Sequence, residues 1–558
     1  MMIRNRCLKG LLLLVVVTGV VAACAPPTPE VVEKEVEVTR QVEVQVTRVV
    51  EKEVEVEVEK EVLITPTPQP EKHAKYVFLF VGDGLAVAQR NAAELYVAAT
   101  ARTGDRPEDV DLLMNTFPAQ GMNTTYDLTS VIPDSASTAT SLATGHKTAS
   151  GVVGMDASGK QVYENISEVA KANGWKVGIV SSVSIDHATP ASFYAHEPSR
   201  GNYREIGEAL ATSDFDYFAG GPLKRPTTSS DKQTELTDLY EMAEDNGFTV
   251  AVGKAEFDAL KPGVGKVFAV PDYNIGGQAL YYTMDRVPEN NLSIVDLTRK
   301  GIELLDNPDG FFLMVEAGKI DWACHANDAA AAIHDTIAFD NAISEAFEFY
   351  RDHPKETLIV VTGDHETGGM TIGFAGTKYS AFFEKIQHQN ISYDEFNAQV
   401  AEWREAGNTR FEDTWPVIEE HFGLLFLTAD AREELEAKAD EGDKAAEMQY
   451  GLALSDLELE MLEEGFERSM KGEEERAQDD YQYLLYGSYE PYVVKLTHVL
   501  NQKAGISWTS YSHTGVPVQT SAIGVGAEMF NGYYDNTDIH AKMMAIAGFG
   551  GSLAMASQ

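Results

Sequence analysis

Four short apolar runs constrain this 558-residue chain most: Tyr76–Val81, Val177–Val183, Phe311–Val315 and Leu358–Val361, each of strand length and rich in β-branched or aromatic residues. Stretches of helix-like composition separate them, among them Ile166–Ala172 and Ala329–Phe349. Apolar runs without alternation belong to strands buried on both faces, and helices between such strands predict a mostly parallel α/β sheet. The residues just after each run carry the functional information. Gly82-Asp83-Gly84 succeeds the first, Glu316 the third, and Thr362-Gly363-Asp364-His365 the fourth; Asp186-His187 and Thr189 lie downstream of the second. Polar and chelating side chains thus gather at the carboxyl ends of strands, where open α/β sheets place their sites.

The segment before Tyr76 has a different character. Arg4, Arg6 and Lys9 form a basic start, Leu11 to Val17 an apolar run too short to span a bilayer, and Val21-Ala22-Ala23 lead to Cys24. Residues 1–24 read as a signal peptide whose end resembles a bacterial lipobox, with Cys24 the lipidated residue; a plain cleaved signal is the alternative. The expectation is an exported, cell-surface lipoprotein tethered to a bacterial membrane through Cys24. Residues 25–70 alternate Val and Glu, as in Val31-Val32-Glu33-Lys34-Glu35-Val36, and end in Pro66, Pro68 and Pro70. One such ribbon has too little apolar surface to fold alone. As an extended stalk it reaches on the order of 100 Å. Of three cysteines, Cys7 leaves with the signal and Cys24 carries lipid, so Cys324 has no partner for an intrachain disulfide.

Residues 71–558 are read as the catalytic domain, with about 380–505 as an acidic, helical insertion, as in Leu457–Met470, carrying surface helices rather than chemistry. The formal net charge of −43 excludes nucleic acid as a partner, because phosphate backbones select Lys and Arg clusters.

Within Asp321-Trp322-Ala323-Cys324-His325, a helical conformation puts Asp321 and His325 on one face, where two side chains can meet one ion. Asp364-His365 comes directly after a strand, and His513 sits in the turn-like Ser512-His513-Thr514-Gly515. Asp134-Ser135 precedes the small-residue run Ala136-Ser137-Thr138-Ala139-Thr140, placing Ser135 at a helix N-terminus, where free N–H groups and the dipole favour an anion. Read alone, that segment is a helix cap.

Together these stretches resemble the alkaline phosphatases. The resemblance rests on Val81-Gly82-Asp83-Gly84, Asp134-Ser135-Ala136 through Thr144-Gly145, His187-Ala188-Thr189-Pro190, Ser199-Arg200, Val315-Glu316 with Asp321 and His325, Thr362-Gly363-Asp364-His365 and His513-Thr514-Gly515, all in one order. It implies a three-layer αβα sandwich and hydrolysis of phosphate monoesters through a phosphoserine at a centre of two Zn²⁺ and one Mg²⁺. One zinc would take Asp321, His325 and His513, the other Asp83, Asp364 and His365; Mg²⁺ would share Asp83 and add Thr189 and Glu316. Ser135 would be the nucleophile and Arg200 the phosphate clamp. Members vary at the positions of His187 and Trp322, some having Asp and Lys there, so His187 either ligates the third ion or holds its water, and that ion could be Mg²⁺, Zn²⁺ or Co²⁺. Trp322 is alternatively simple packing. Thr367 stands where some members carry a further histidine, and Cys324 is expected to point away from the ligands. The family also suggests a homodimer. Two other readings remain: a phosphodiesterase on the same metal core, opposed by Arg200 because a diester has fewer free oxygens to clamp, and a phosphate-binding lipoprotein without turnover.

Overall fold

In the computed structural model, the residues described are 73–101, 110–273, 275–472 and 479–550, within the unit that begins at Thr67. The signal segment, Cys24 and the stalk lie outside the described residues. Among those described, no helix is long and apolar enough to cross a membrane.

The described residues form fourteen strands, β1 to β14 in chain order. The first eight are Tyr76–Gly82, Ala119–Thr124, Lys176–Ser184, Tyr217–Gly221, Phe248–Val252, Lys266–Val270, Phe311–Ala317 and Thr357–Gly363. Glu366–Thr367 (β9) pairs with His513–Thr514 (β12), and Thr371–Ile372 (β10) with Ile506–Ser507 (β11). Val518–Gly524 (β13) and Gly532–Asp535 (β14) complete a ten-stranded sheet of order β14-β2-β13-β8-β1-β7-β3-β4-β6-β5. Within that sheet β13 runs antiparallel to both of its neighbours, and the other pairs are parallel. The four apolar runs read from the sequence are the adjacent strands β8, β1, β7 and β3.

Strand β1 shows why the sheet is covered on both faces. Every residue from Tyr76 to Gly82 is buried. Tyr76, Phe78 and Phe80 enter one apolar cluster, with the helices Val87–Thr100, Ile294–Leu305 and Ala329–Asp352. Val77, Leu79 and Val81 enter the other, with Ser135–Thr144, Ile166–Ala172, Tyr203–Thr212 and Thr537–Ala547. Side chains alternating across a pleated strand therefore build two cores, and the fold is the three-layer αβα sandwich. The described part of the acidic segment forms seven helices between Tyr393 and Ala504. Phe396, Val400, Leu462, Tyr492 and Leu496 join the first cluster, whereas Ala429–Asp440 buries nothing.

Helix termini are specified locally. Asp134 accepts from the Ser137 N–H ahead of the Ser135 helix, and Gly145 closes that helix at φ 72°. Asn165 and Ser293 form capping boxes with Glu168 and Asp296, which satisfies donors at both ends of the box.

His540, on the helix Thr537–Ala547, sits so close to Gly145 that a Cβ there would approach His540 Cδ2 to 2.8 Å. Its Nδ1 is buried without a partner among the described residues, and burial lowers its pKa from 6.5 to about 4. The unfolded chain then binds the proton more readily than the folded one, so the stability tied to this neutral ring is present above pH 6.5 and is lost as pH falls toward 4. Thermal unfolding across that window is expected to show a steeper acid loss for the wild type than for His540→Gln; equal slopes would contradict it.

Candidate functional site

Register brings the carboxylates together. In the parallel pairs, Gly82 of β1 lies opposite Gly363 of β8 and Ala317 of β7, and Val81 opposite Glu316, which in turn faces Ser181 of β3. Asp83, Asp364 and Glu316 therefore leave neighbouring central strands at the carboxyl end of the sheet. Gly84, at φ 72°, turns the chain there: a Cβ would meet the Asp321 Cα at 2.9 Å, and its N–H donates to Asp364 Oδ1 at 3.1 Å. Only glycine tolerates both the dihedral and the approach.

Asp321 and His325 fall on the helix Lys319–His325, with His325 Nε2 3.4 Å from Asp321 Oδ2. His513 enters on β12, and its Nε2 lies 3.1 Å from His325 Nε2 and 3.6 Å from Asp321 Oδ1. The outer nitrogens are already engaged: His325 Nδ1 is 2.6 Å from the Tyr511 carbonyl and His513 Nδ1 2.8 Å from that of Pro133. A carbonyl only accepts, so each Nδ1 carries a proton, and in the neutral rings both Nε2 lone pairs converge beside Asp321. His365 Nε2 lies 3.1 Å from Asp364 Oδ2, 3.4 Å from Asp83 Oδ1 and 3.2 Å from Ser135 Oγ, and its ring stacks on His513 at 3.6 Å.

Three groups of ligand atoms result, each within 4.8 Å of one another: Asp321, His365 and His513; Asp83, Asp364 and His365; Asp83, His187 and Glu316. His325 belongs beside the first by its contacts with Asp321 and His513. Thr189 Oγ1 reaches Asp83 Oδ2 at 3.3 Å, next to the third. Among the described residues, Asp83 Oδ1, Glu316 Oε1 and His187 Nδ1 find no hydrogen-bond partner and are buried, orphaned atoms of the kind a cation satisfies.

The charges point the same way. Burial, then Asp364 and Asp321, pushes Asp83 well above the usual carboxylate range; burial, then Asp321, does the same to Asp364. Burial lifts Glu316 to about 7. Asp321 is the exception: burial raises it, but His325, His513 and His365 outweigh burial and hold it low. Burial opposes a charge on His325, yet Asp321 keeps its pKa at about 9. Burial lowers His365, His187 and His513. Each of the raised carboxyls holds its proton more tightly than usual, a preference that a neighbouring cation would reverse. These oxygen and imidazole donors fit divalent ions of the zinc and magnesium type.

Ser135 begins its ten-residue helix and is buried, with Oγ open toward His365. Arg200 Nη1 donates to Asp134 Oδ2 at 2.9 Å, and its Nη2 lies 3.4 Å from His187 Nε2. Burial pushes Asp134 up, but Arg200 and the Gly151 and Ser137 N–H groups bring its pKa to about 2. A cavity of about 380 Å³ is lined by Ser135, Arg200, His187, Asp321, His325 and His513, and by the aromatic residues Trp322, Tyr393 and Tyr489.

Of the site residues read from the sequence, Ser135, His187, Arg200, Asp321, His325 and His513 line this cavity, and Asp83, Thr189, Glu316, Asp364 and His365 are joined to them through the ligand groups and contacts above. Trp322 lines it, beyond packing alone. Cys324 is fully buried, its Sγ 3.9 Å from the Gln89 amide and turned from the cluster. Thr367 donates to Asp321 Oδ1 at 2.5 Å. Three residues were missed. Ser181 donates to Glu316 Oε2, and only its place on β3 could have suggested it. Tyr393 and Tyr489 come from the acidic helical segment, expected to carry no chemistry; no motif marks them.

Loading the metal-free chain with Zn²⁺ near neutral pH is expected to release protons held by Glu316, Asp83, Asp364 and His325. Calorimetry in buffers of different ionisation enthalpy reads the release, and heats independent of buffer would contradict it.

Comparison with known proteins agrees with this geometry. The family model for alkaline phosphatase matches residues 74–219 and 275–549. Alkaline phosphatase 4 of Bacillus subtilis (strain 168) is 28% identical over 479 residues, 84% of this chain and 88% of that protein. The alkaline phosphatase of Escherichia coli (strain K12) is 31% identical over 342 residues, 53% of this chain and 70% of that protein. The crystal structure of a cold-active alkaline phosphatase from the psychrophile Shewanella sp. aligns with a TM-score of 0.65 at 28% identity, over 85% of this chain and 99% of that one. With β1, β7 and β8 delivering their carboxylates to one buried cluster, and a family match running through most of the chain, this protein belongs to the alkaline phosphatase family.

Proposed function

We propose that the chain hydrolyses small-molecule phosphate monoesters through a phosphoserine on Ser135. The observation that carries this reading is the position of Ser135 Oγ, 3.2 Å from His365 Nε2, at a helix N-terminus and in one cavity with Arg200. One zinc would be held by Asp321, His325 and His513, a second by Asp83, Asp364 and His365, and magnesium by Asp83, Thr189 and Glu316 with His187 beside it. Bound there, the cations would make a hydroxyl or a water more acidic and offset phosphoryl charge.

The residues of the chain do the rest. Arg200 offers a planar fork to two phosphoryl oxygens, and Asp134 holds one arm of that fork. The N-terminus of the Ser135 helix would favour the same anion through its dipole. Ser135 Oγ gives up its proton and bonds to phosphorus as the ester P–O bond breaks, and the leaving oxygen takes up a proton to become the alcohol. Water then displaces Ser135, releasing inorganic phosphate and restoring the hydroxyl. Buried Asp321 fixes the orientation of His325 and His513, while the Tyr511 and Pro133 carbonyls fix their tautomers.

Metal-loaded protein is expected to turn over p-nitrophenyl phosphate faster than bis-p-nitrophenyl phosphate and to lose activity on chelation. Ser135→Ala is expected to lower turnover by at least on the order of 10³-fold, with no labelled phosphoenzyme. Faster diester turnover would instead support the phosphodiesterase reading, and no turnover at all a binding protein. The exported, lipid-anchored setting expected of Arg4–Cys24 rests on the sequence alone; lipid incorporation that survives Cys24→Ser would contradict it.

A further inference from the structure

The cavity over Ser135 has two chemical halves. Ser135, Arg200 and the chelating side chains make one; Trp322, Tyr393 and Tyr489 line the other. The aromatic half is continuous beneath its surface. The Tyr489 ring meets Tyr393 edge-on at 5.8 Å, and Tyr393 meets Tyr282 at 5.7 Å, their hydroxyls 3.2 Å apart. The buried Lys319 ammonium, without a hydrogen-bond partner among the described residues, sits 3.6 Å from the Tyr282 ring centroid and 5.3 Å from that of Trp322. A cation between π faces joins the two ends of the arc. Beyond it, the backbone at Gly277 closes on Trp322: a Cβ there would come within 2.5 Å of the indole.

The arc is also tied to the metal ligands. The Tyr511 carbonyl accepts from His325 Nδ1, and the Tyr511 hydroxyl donates to the Leu485 carbonyl at 2.7 Å, four residues before Tyr489. Tyr393 is held by its N–H, which donates to Asp328 Oδ2 at 2.9 Å, and Asp328 caps the helix Ala329–Asp352, just past the Asp321–His325 turn. The rings therefore stand at a set place relative to the phosphoryl end. The cavity is many times the ~30 Å³ share of one water and falls in the range of small-molecule sites.

We propose that this arc is a subsite for a flat ring carried by the alcohol part of the ester, so that nucleoside monophosphates and other ring-bearing phosphomonoesters are favoured over their ringless counterparts. This deepens, and rests on, the phosphomonoesterase reading above. Stacking on aromatic side chains is tolerant of base identity, so the preference is for a ring and not for one base.

Adenosine 5′-monophosphate and ribose 5-phosphate share the primary phosphate ester on a ribose and differ by the base, which makes their kcat/KM ratio the test, measured on metal-loaded full chain. The ratio is expected to be about ten-fold in the wild type, the scale of one stacked base. It is expected to fall several-fold in Tyr489→Leu and in Trp322→Leu, mainly through KM, and to persist in Tyr489→Phe, which keeps the ring. A wild-type ratio near unity, or a ratio unmoved in Tyr489→Leu, would overturn the subsite while leaving the phosphomonoesterase intact. Turnover of neither ester would overturn both.

Discussion

Electrostatic repulsion among Asp83, Glu316, Asp321 and Asp364 is the constraint on which the site depends. All four are buried at or just beyond the carboxyl ends of central strands, where ionised carboxylates are costly unless paired. Parallel register leaves the strands no choice: once β8, β1 and β7 pair as they do, Asp364, Asp83 and Glu316 emerge side by side. Of the four, Asp321 alone has imidazoles enough to stay ionised without metal. The other three need either protons or cations, and the orphaned oxygens of Asp83 and Glu316 mark where cations would enter. The two aromatic and aliphatic cores on either side of the sheet hold this unfavourable arrangement in place.

The surrounding residues act by orientation. Gly84 permits the turn that brings Asp83 beneath Asp321, and the Tyr511 and Pro133 carbonyls aim the lone pairs of His325 and His513. Asp134 serves twice, capping the Ser135 helix and holding Arg200. One acidic residue thereby fixes both the proposed nucleophile and the proposed clamp.

Much of this was legible in the sequence, for a physical reason. Strands β1, β3, β7 and β8 are buried on both faces, so they read as unbroken apolar runs, and chelating residues at their ends stand out against them. The outer strands did not announce themselves: Ala119–Thr124 is mostly small and polar, and Tyr217–Gly221 ends in two glycines. Their strand state comes from neighbours, not from propensity. The i, i+4 spacing of Asp321 and His325 was informative because a helix is a local structure. Tyr393 and Tyr489 carried no such signal, since their approach to the cavity is set by how distant helices pack on the first core. The acidic segment therefore contributes to the pocket wall through residues that its composition hides.

Cation positions decide whether the buried carboxylates have the role given to them. Anomalous diffraction from crystals of the chain loaded with Zn²⁺, with Mn²⁺ standing in for Mg²⁺, reads those positions most directly. One ion is expected among Asp321, His325 and His513, one among Asp83, Asp364 and His365 beside Ser135 Oγ, and one against Asp83 and Glu316. Ions bound only elsewhere on the acidic surface, with these side chains holding none, would contradict it.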